Sequence, residues 1–317
     1  MYSSSLNATA ASALSLLGGT SRALNDTTIR VASGREVNKA SDNAAYWSIA
    51  TTMKSSSLSL SSAEDAQAFS AAIADTAALG MTAATDIMSD IQSKLILAKS
   101  PGVDRKAVNA EISQLKQQLT TVIDSSSFNG QNWLKTGAGE RPKVESMVGS
   151  VASDGNGNVS VNVIDFDRGG STLVAKGDAA DGLLTRAYSG TSASGASYYL
   201  LDAGSTVPNG AGAREIGVSD ATSNDEIDGM MSAVNSMMAR MIDGGAAIGA
   251  TSSRISSNTN FLQNLQDITQ IGIGRMVDAD MEEEAVKLSS QGVQQQLQTI
   301  GLNITNATMA KTMMLFA

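Results

Sequence analysis

The chain contains no cysteine and no histidine among its 317 residues. The first absence excludes disulfides, thiolate nucleophiles, Cys-ligated zinc and iron–sulfur clusters. The second removes Ser-His-Asp triads, His-ligated metals and the commonest general base. Proline is scarce too, occurring only at 101, 142 and 208, so both ends permit very long helices. Aromatic residues make up 4% of the chain, and its apolar content is mostly Ala, Leu, Ile, Val and 15 Met. Such small or flexible side chains suit close helix–helix packing better than a thick globular core. Positive charge is in the minority, with 22 Lys and Arg against 31 Asp and Glu, a net charge of -9. That balance argues against nucleic acid and against anionic membrane surfaces as partners. No stretch offers 18 consecutive apolar residues, so no membrane insertion is expected. The start, Met1-Tyr2-Ser3-Ser4-Ser5-Leu6, has no basic region, and the first positive side chain is Arg22. A cleaved secretory signal is therefore not expected.

Heptads dominate both ends. Leu14, Leu17, Ser21, Leu24, Thr28 and Val31 alternate steps of three and four, which places them on one helix seam. Val293, Leu297, Ile300, Ile304, Ala307, Lys311 and Met314 do the same near the other end. A longer run goes from Ile49 and Met53 through Leu60, Ala74, Met88 and Leu95 to Ala98. Ser41 or Asp42 is placed to cap it, and Pro101-Gly102 ends it. The spacing predicts helices over 43–99, 104–124 and 223–270, besides terminal ones over 3–33 and 279–315. A helix over 43–99 would be about 85 Å long at 1.5 Å per residue.

Between these arms, residues 136–217 hold 15 of the 29 Gly. Lys143–Val151 and Asn158–Phe166 are β-prone runs around Ser153-Asp-Gly-Asn-Gly157, a hairpin signal. Ala196–Asp202 and Arg214–Val218 are weaker strand candidates. The expected fold is mainly α and elongated: an antiparallel coiled-coil or helix bundle formed by both chain ends, with a small β-rich domain inserted in the middle. A seam of this kind needs a partner to bury it.

Several patterns invite a chemical reading. Ser113-Gln-Leu-Lys116 has the spacing of serine acylating enzymes, but the accompanying motifs are missing, and a solvated helix pair explains it. Asp154-Gly-Asn156-Gly-Asn158 resembles the start of a calcium loop. Val159 stands where that loop needs Gly and Asp165 where it needs Glu, so a hairpin turn is preferred. Gly272-Ile-Gly-Arg275 lacks the third Gly of a dinucleotide loop and reads as a break between helices. Asp278, Asp280 and Glu282-Glu283-Glu284 suit the first turn of a helix. Met230, Met231, Met237, Met238 and Met241 fall at core spacing. No catalytic, metal or cofactor site emerges from these residues.

Three blocks carry a family resemblance. SGREVNKASDNAAYWSIA at 33–50 resembles the S-G-x-x-(I/V)-N-x-A-x-D-(D/N)-A-A block of bacterial flagellins, in a form similar to those of rhizobial alphaproteobacteria. FNGQNWL at 128–134 resembles the block that closes the N-terminal half. VDADMEEEAVKL at 277–288, followed by a Gln-rich helix, resembles the C-terminal block. The resemblance covers 1–135 and 223–317. It implies a structural subunit, not an enzyme and without a cofactor, that self-assembles into the extracellular flagellar filament used for swimming.

It implies an inner layer of 1–42 with 272–317, a second layer of 43–135 with 223–271, and an outer surface domain at 136–222. It also implies export by the flagellar type III apparatus with a chaperone, and assembly with hook-junction and cap proteins and possibly other flagellins. The expected assembly seam is Leu14, Leu17, Leu24, Val31, Val293, Leu297, Ile300, Ile304 and Met314. The loop between the first two helices contributes Asn38, Ser41, Asp42 and Asn43. The ends are expected to order only when neighbouring copies cover them. The segment Asp90–Leu97, which matches an Arg-rich stretch read by a Toll-like receptor in enterobacterial relatives, has no Arg here, which implies weak recognition. A hook–filament junction protein shares the terminal-helix plan. A chemoreceptor signalling hairpin shares the Ala/Ser-rich coil but has no place for a Gly-rich insert.

Overall fold

The computed structural model describes residues 8–153, 159–190, 195–210 and 212–315. Five helices frame it: α1 (Ala8–Ser33), α2 (Ala44–Ala98), α3 (Arg105–Ser125), α4 (Asn224–Val277) and α5 (Met281–Leu315). Between α3 and α4 lie seven strands: β1 (Lys135–Thr136), β2 (Val144–Ser153), β3 (Val159–Asp167), β4 (Val174–Ala175), β5 (Tyr188–Ser189), β6 (Ser197–Tyr199) and β7 (Ala213–Glu215). The chain falls into two compact units, 1–58 with 265–317, and 59–264, and the division lies within α2 and α4. The helical ends and central β region match the expected fold class. The possible calcium loop at 154–158 lies outside the described residues.

The unit of 59–264 holds the main core. Along α2, Leu60, Ala63, Gln67, Ser70, Ala74, Ala77, Met81, Ala84, Met88, Ile91, Leu95 and Ala98 are buried, an unbroken alternation of threes and fours. Val108, Ile112, Leu119 and Ile123 of α3 join them, with Ile227, Val234, Met237, Met241, Ile248 and Ile255 of α4. The Met cluster is therefore core, Met231 and Met238 packing at its margin. Polar links reach α4 from α2 and the turn after it, Gln92 to Asn235 at 2.7 Å and Lys99 Nζ to Asp228 at 2.6 Å.

Helix ends follow local chemistry. Asp104 caps α3 by accepting from Lys106 N at 2.9 Å. Ser223 and Glu226 form a reciprocal capping box at α4: Glu226 N donates to Ser223 Oγ at 3.2 Å, and Ser223 N donates to Glu226 Oε2 at 2.9 Å. The cap of α2 differs from expectation. Asn43 Oδ1 accepts from Tyr46 N at 3.2 Å, so Asn43, not Ser41 or Asp42, is the capping residue. Gly272 and Gly274 do not break a helix, because α4 runs on to Val277. A Cβ at Gly272 would stand 2.9 Å from Met53 Cε, the flexible end of that side chain.

The β region packs on the same core. β2 and β3 form an antiparallel ribbon from Val144↔Asp167 to Ser153↔Val159, with a bulge between Val148 and Ser150. Its inner face buries Met147, Ile164 and Phe166, and Trp133 stacks on Phe166 at 4.4 Å between ring centroids. At the bulge, the carbonyl of Gly149 accepts from Gln67 Nε2 and Asn258 Nδ2. Thr259 Oγ1 donates to Gln67 Oε1 at 2.8 Å, which satisfies the buried amide of Gln67. β1 pairs with β4 in parallel, and β5-β6-β7 form a small sheet. Buried Arg168 ties the segment together, donating to Glu145 Oε1 at 3.0 Å and to the carbonyls of Asn132 and Lys135.

Both side chains of the S-x-x-K pair make contacts that hold the fold. Ser113 Oγ donates to Asn109 O at 2.8 Å, while Lys116 Nζ donates to Glu215 at 2.7 Å and to the carbonyl of Ile216. Burial lowers the Lys116 pKa, and the Glu215 carboxylate offsets part of that.

Candidate assembly surface

The unit of 1–58 and 265–317 is built on α1 packed against α5. Asp280 starts α5, accepting from Glu282 N at 3.0 Å and Glu283 N at 3.2 Å, and the three glutamates sit in its first turn as the acidic run implied. α1 ends at Gly34, whose φ of 68° admits the left-handed cap that returns its N–H to Arg30 O at 2.8 Å. The chain then runs along the end of α4. Glu36 N donates to Val277 O at 2.7 Å and Ala279 N to Gly34 O at 3.0 Å. A three-residue core of Val37, Ala50 and Val277 closes this joint, with Ile273 and Met276 against it.

The loop residues Asn38, Ser41, Asp42 and Asn43 come together here. Asp42 Oδ2 accepts from Asn38 N at 3.0 Å and Lys39 N at 3.1 Å, and Asn38 Nδ2 donates to Arg35 O at 3.0 Å. Partial loss of hydration raises the Asp42 pKa. The two backbone N–H donors, with the charges of Lys39 and Arg30, outweigh that and hold it below the ordinary value. Ser41 is exposed on the same turn. Beyond the loop, Tyr46, Trp47 and Ile49 stand exposed on the first turns of α2.

Two different stripes run along α5. The one facing α1 comprises Glu284, Leu288, Gln291, Gln295, Gln298, Leu302 and Thr305, all at least half-buried and spaced four, three, four, three, four, three. Opposite it on α1 lie Ala10, Ala13, Leu17, Thr20, Leu24, Thr27 and Val31. Gln295 Nε2 donates to Ser21 Oγ at 3.1 Å, and Arg30 reaches Glu284 at 3.7 Å. The other stripe is the apolar one read from the sequence. Val293, Leu297, Ile300 and Ile304 are exposed, and Val286 extends the same ridge. On α1, Leu17, Leu24 and Val31 are half-buried, whereas Leu14 is exposed beside Leu16. The side chain of Met314 lies outside the described residues.

Periodicity thus located the ridge but not what α1 covers. Two positions along a helix is about 200° of rotation, so Gln291 and Val293 point in nearly opposite directions. The α1-facing stripe carries little apolar signal because, of the members above, only Leu288 and Leu302 are apolar. Its signal was the recurrence of Gln at 291, 295 and 298, which are heptad steps offset from the ridge.

Among the described residues no group of three acidic side chains is arranged to hold a metal ion, and no helix is long and apolar enough to cross a membrane.

Both helical arms match known families. Residues 5–138 match the bacterial flagellin N-terminal helical region, and residues 231–313 match the bacterial flagellin C-terminal helical region. The chain is 39% identical over 322 residues to Flagellin C of Rhizobium meliloti strain 1021, covering 100% of this chain and 99% of that protein. It is 32% identical to Flagellin A of the same strain, covering 98% of each. It is 30% identical to a flagellin of Brucella melitensis biotype 1, covering 98% of this chain and 97% of that one. With matches at both arms and relatives aligned end to end, the chain belongs to the bacterial flagellin family.

Proposed function

We infer that the chain is a structural subunit that self-assembles into the bacterial flagellar filament and serves swimming motility. The observation that carries this reading, beside family membership, is the uncovered ridge Val293, Leu297, Ile300 and Ile304 on a helix whose other face is already occupied by α1. Apolar residues repeating along one line of a long helix ask for a helical partner. A copy-to-copy contact between two different surfaces does not close on itself and builds an open fibre.

On this reading Leu14, Leu17, Leu24, Val31 and Met314 complete the assembly seam, Leu17, Leu24 and Val31 from the α1 face that lines α5 within the subunit. The loop of Asn38, Ser41, Asp42 and Asn43 sets the joint between α1 and α2. Residues 1–42 and 272–317 form the inner layer, 43–135 and 223–271 the second, and 136–222 the outer surface. The subunit is exported by the flagellar type III apparatus without a cleaved signal, handled by a chaperone, and placed with hook-junction and cap proteins, alone or mixed with other flagellins. It has no catalytic role and needs no cofactor.

Deletion of residues 1–30 or 290–317 tests the reading. Either truncation should give a soluble monomer that retains the buried core of α2, α3 and α4, and electron microscopy after seeding should show no filaments. Normal filaments from either truncated chain would refute it.

A further inference from the structure

The sequence contains three Asn-Gly pairs, at 129–130, 156–157 and 209–210. Such a pair is open to an internal reaction, because glycine has no side chain to shield its backbone nitrogen from the asparagine amide carbon. The pair at 156–157 lies outside the described residues, and the other two have different surroundings. Asn129 and Gly130 are the central residues of a two-residue turn, at φ 47° and 79°. Phe128 N donates to Gln131 O and Gln131 N to Phe128 O, both at 2.9 Å. Both turn residues are exposed, and a Cβ on Gly130 would meet nothing within 4 Å. Among the described residues, neither the Asn129 amide nor the Gly130 N–H has a hydrogen-bond partner. The Asn209 amide, in contrast, is pinned from both sides. Its Nδ2 donates to Thr185 O at 2.6 Å, and its Oδ1 accepts from Ala187 N at 3.1 Å.

We propose that Asn129 is a site of spontaneous deamidation in the folded subunit, and that its conversion releases the turn that holds Phe128 against Phe69. The Gly130 nitrogen gives its proton to solvent and attacks Asn129 Cγ. The C–N bond of the side-chain amide breaks, and its nitrogen takes a proton from water and leaves as ammonia. The cyclic imide that remains takes up one water. Opening at one carbonyl gives aspartate, and opening at the other gives isoaspartate. Isoaspartate adds one carbon to the main chain, so both hydrogen bonds between Phe128 and Gln131 no longer fit across a two-residue turn. Phe128 then loses its seat, where its ring stands edge-on to Phe69 at 5.5 Å between centroids. Asn209 is slow, because both bonds to its amide must break before Cγ can swing towards Gly210 N. The reaction needs only water, so the proposal stands apart from the filament reading.

The test is incubation of the full-length folded chain in mildly alkaline buffer, in parallel with the same chain unfolded in urea. Peptide mapping by mass spectrometry follows conversion at Asn129 and Asn209, and chromatography separates the aspartate and isoaspartate products. In the folded chain Asn129 should convert at least about tenfold faster than Asn209. In urea the two rates should come within about threefold of each other, because each is then a plain Asn-Gly pair in an open chain. Hydrogen–deuterium exchange at Phe128 and Gln131 should be faster in the aged chain than in the fresh one, and unchanged at Ile91 and Leu95 in the core of α2. Equal folded rates at the two sites, a tenfold difference that survives in urea, or a converted turn with unaltered exchange would each overturn the proposal.

Discussion

Replacing Leu297 and Ile300 together by serine should cripple polymerisation and leave the free subunit intact. In the single chain Leu297 is 62% exposed and Ile300 55%, so neither contributes much to the subunit's own core. Full burial of such a side chain contributes about 1.5–3 kcal/mol. Covering the exposed part of both would therefore supply about 2–3.5 kcal/mol per subunit. At about 1.4 kcal/mol per tenfold, losing it should raise the critical concentration for filament growth roughly 30- to 300-fold. The assay is sedimentation of filaments grown from parent seeds over a concentration series, with far-UV circular dichroism of the free variant as the folding control. A critical concentration within about threefold of the parent's would show that this ridge is not the contact, because a buried pair cannot lose that much apolar surface at so small a cost.

Three smaller perturbations probe the scaffold. Glu226→Ala opens the capping box of α4 and should lower stability by about 1 kcal/mol, read as a modest fall in thermal midpoint; an unchanged midpoint would remove the box from the account. Arg168→Met strands Glu145 and two backbone carbonyls, and should destabilise the unit of 59–264 by about 3 kcal/mol in urea titration. A cost under about 1 kcal/mol would mean that solvent replaces those bonds freely. Asp42 gives a pH signature. Its pKa is lowered by folding, so its contribution is full above the ordinary value of 3.8 and is lost as pH falls through the lower folded value. The amide resonances of Asn38 and Lys39 should titrate with a midpoint below 3.8, and not in Asp42→Asn; a midpoint at or above 3.8 contradicts the loop geometry.

Much of the helical frame was legible because a long helix with a covered face writes its burial into the sequence. On α2 the buried positions from Leu60 to Ala98 fall where heptad spacing put them, with Gln67 and Ser70 buried as polar members of the same seam. Ile49 is the exception, half exposed while its neighbour Ala50 is buried against Val37 and Val277. Apolarity alone ranked the two wrongly, since the closer approach of chain at that joint favours the smaller side chain. The same limit explains α5, where periodicity picked the most apolar line and α1 took the other. The cap at Asn43 was missed because three adjacent residues can all cap, and Asp42 is occupied by Asn38 and Lys39. The two-residue strands β1, β4 and β5 carry no alternating pattern; their pairing is fixed by the chain around them. Arg168 gave no signal at all, because an isolated Arg normally reads as a surface residue.

The two units also differ in how much core each one has. The unit of 59–264 buries a continuous cluster from three helices and the β region, including Leu95, Ile112, Leu134 and Val234 at 0% exposure. The unit of 1–58 with 265–317 has a buried apolar core of Val37, Ala50 and Val277 among its described residues. Local opening is cheap where few apolar side chains are buried and costly where many are. Trypsin acting on the free subunit should therefore cut first at Arg22, Arg30, Lys39 and Lys287. It should spare Lys94, Lys99 and Lys106, although those are also reachable from solvent, because cleavage needs a locally unfolded backbone and not merely an exposed side chain. In the filament the early sites should become resistant, since covering the ridge supplies the burial that the isolated pair of helices lacks. Mass spectrometry of the first fragments decides the matter. Equal cutting in both units, or equal rates at Arg22 and Lys287 before and after polymerisation, would mean that the ends gain nothing from their neighbours and that the exposed ridge is not what holds copies together.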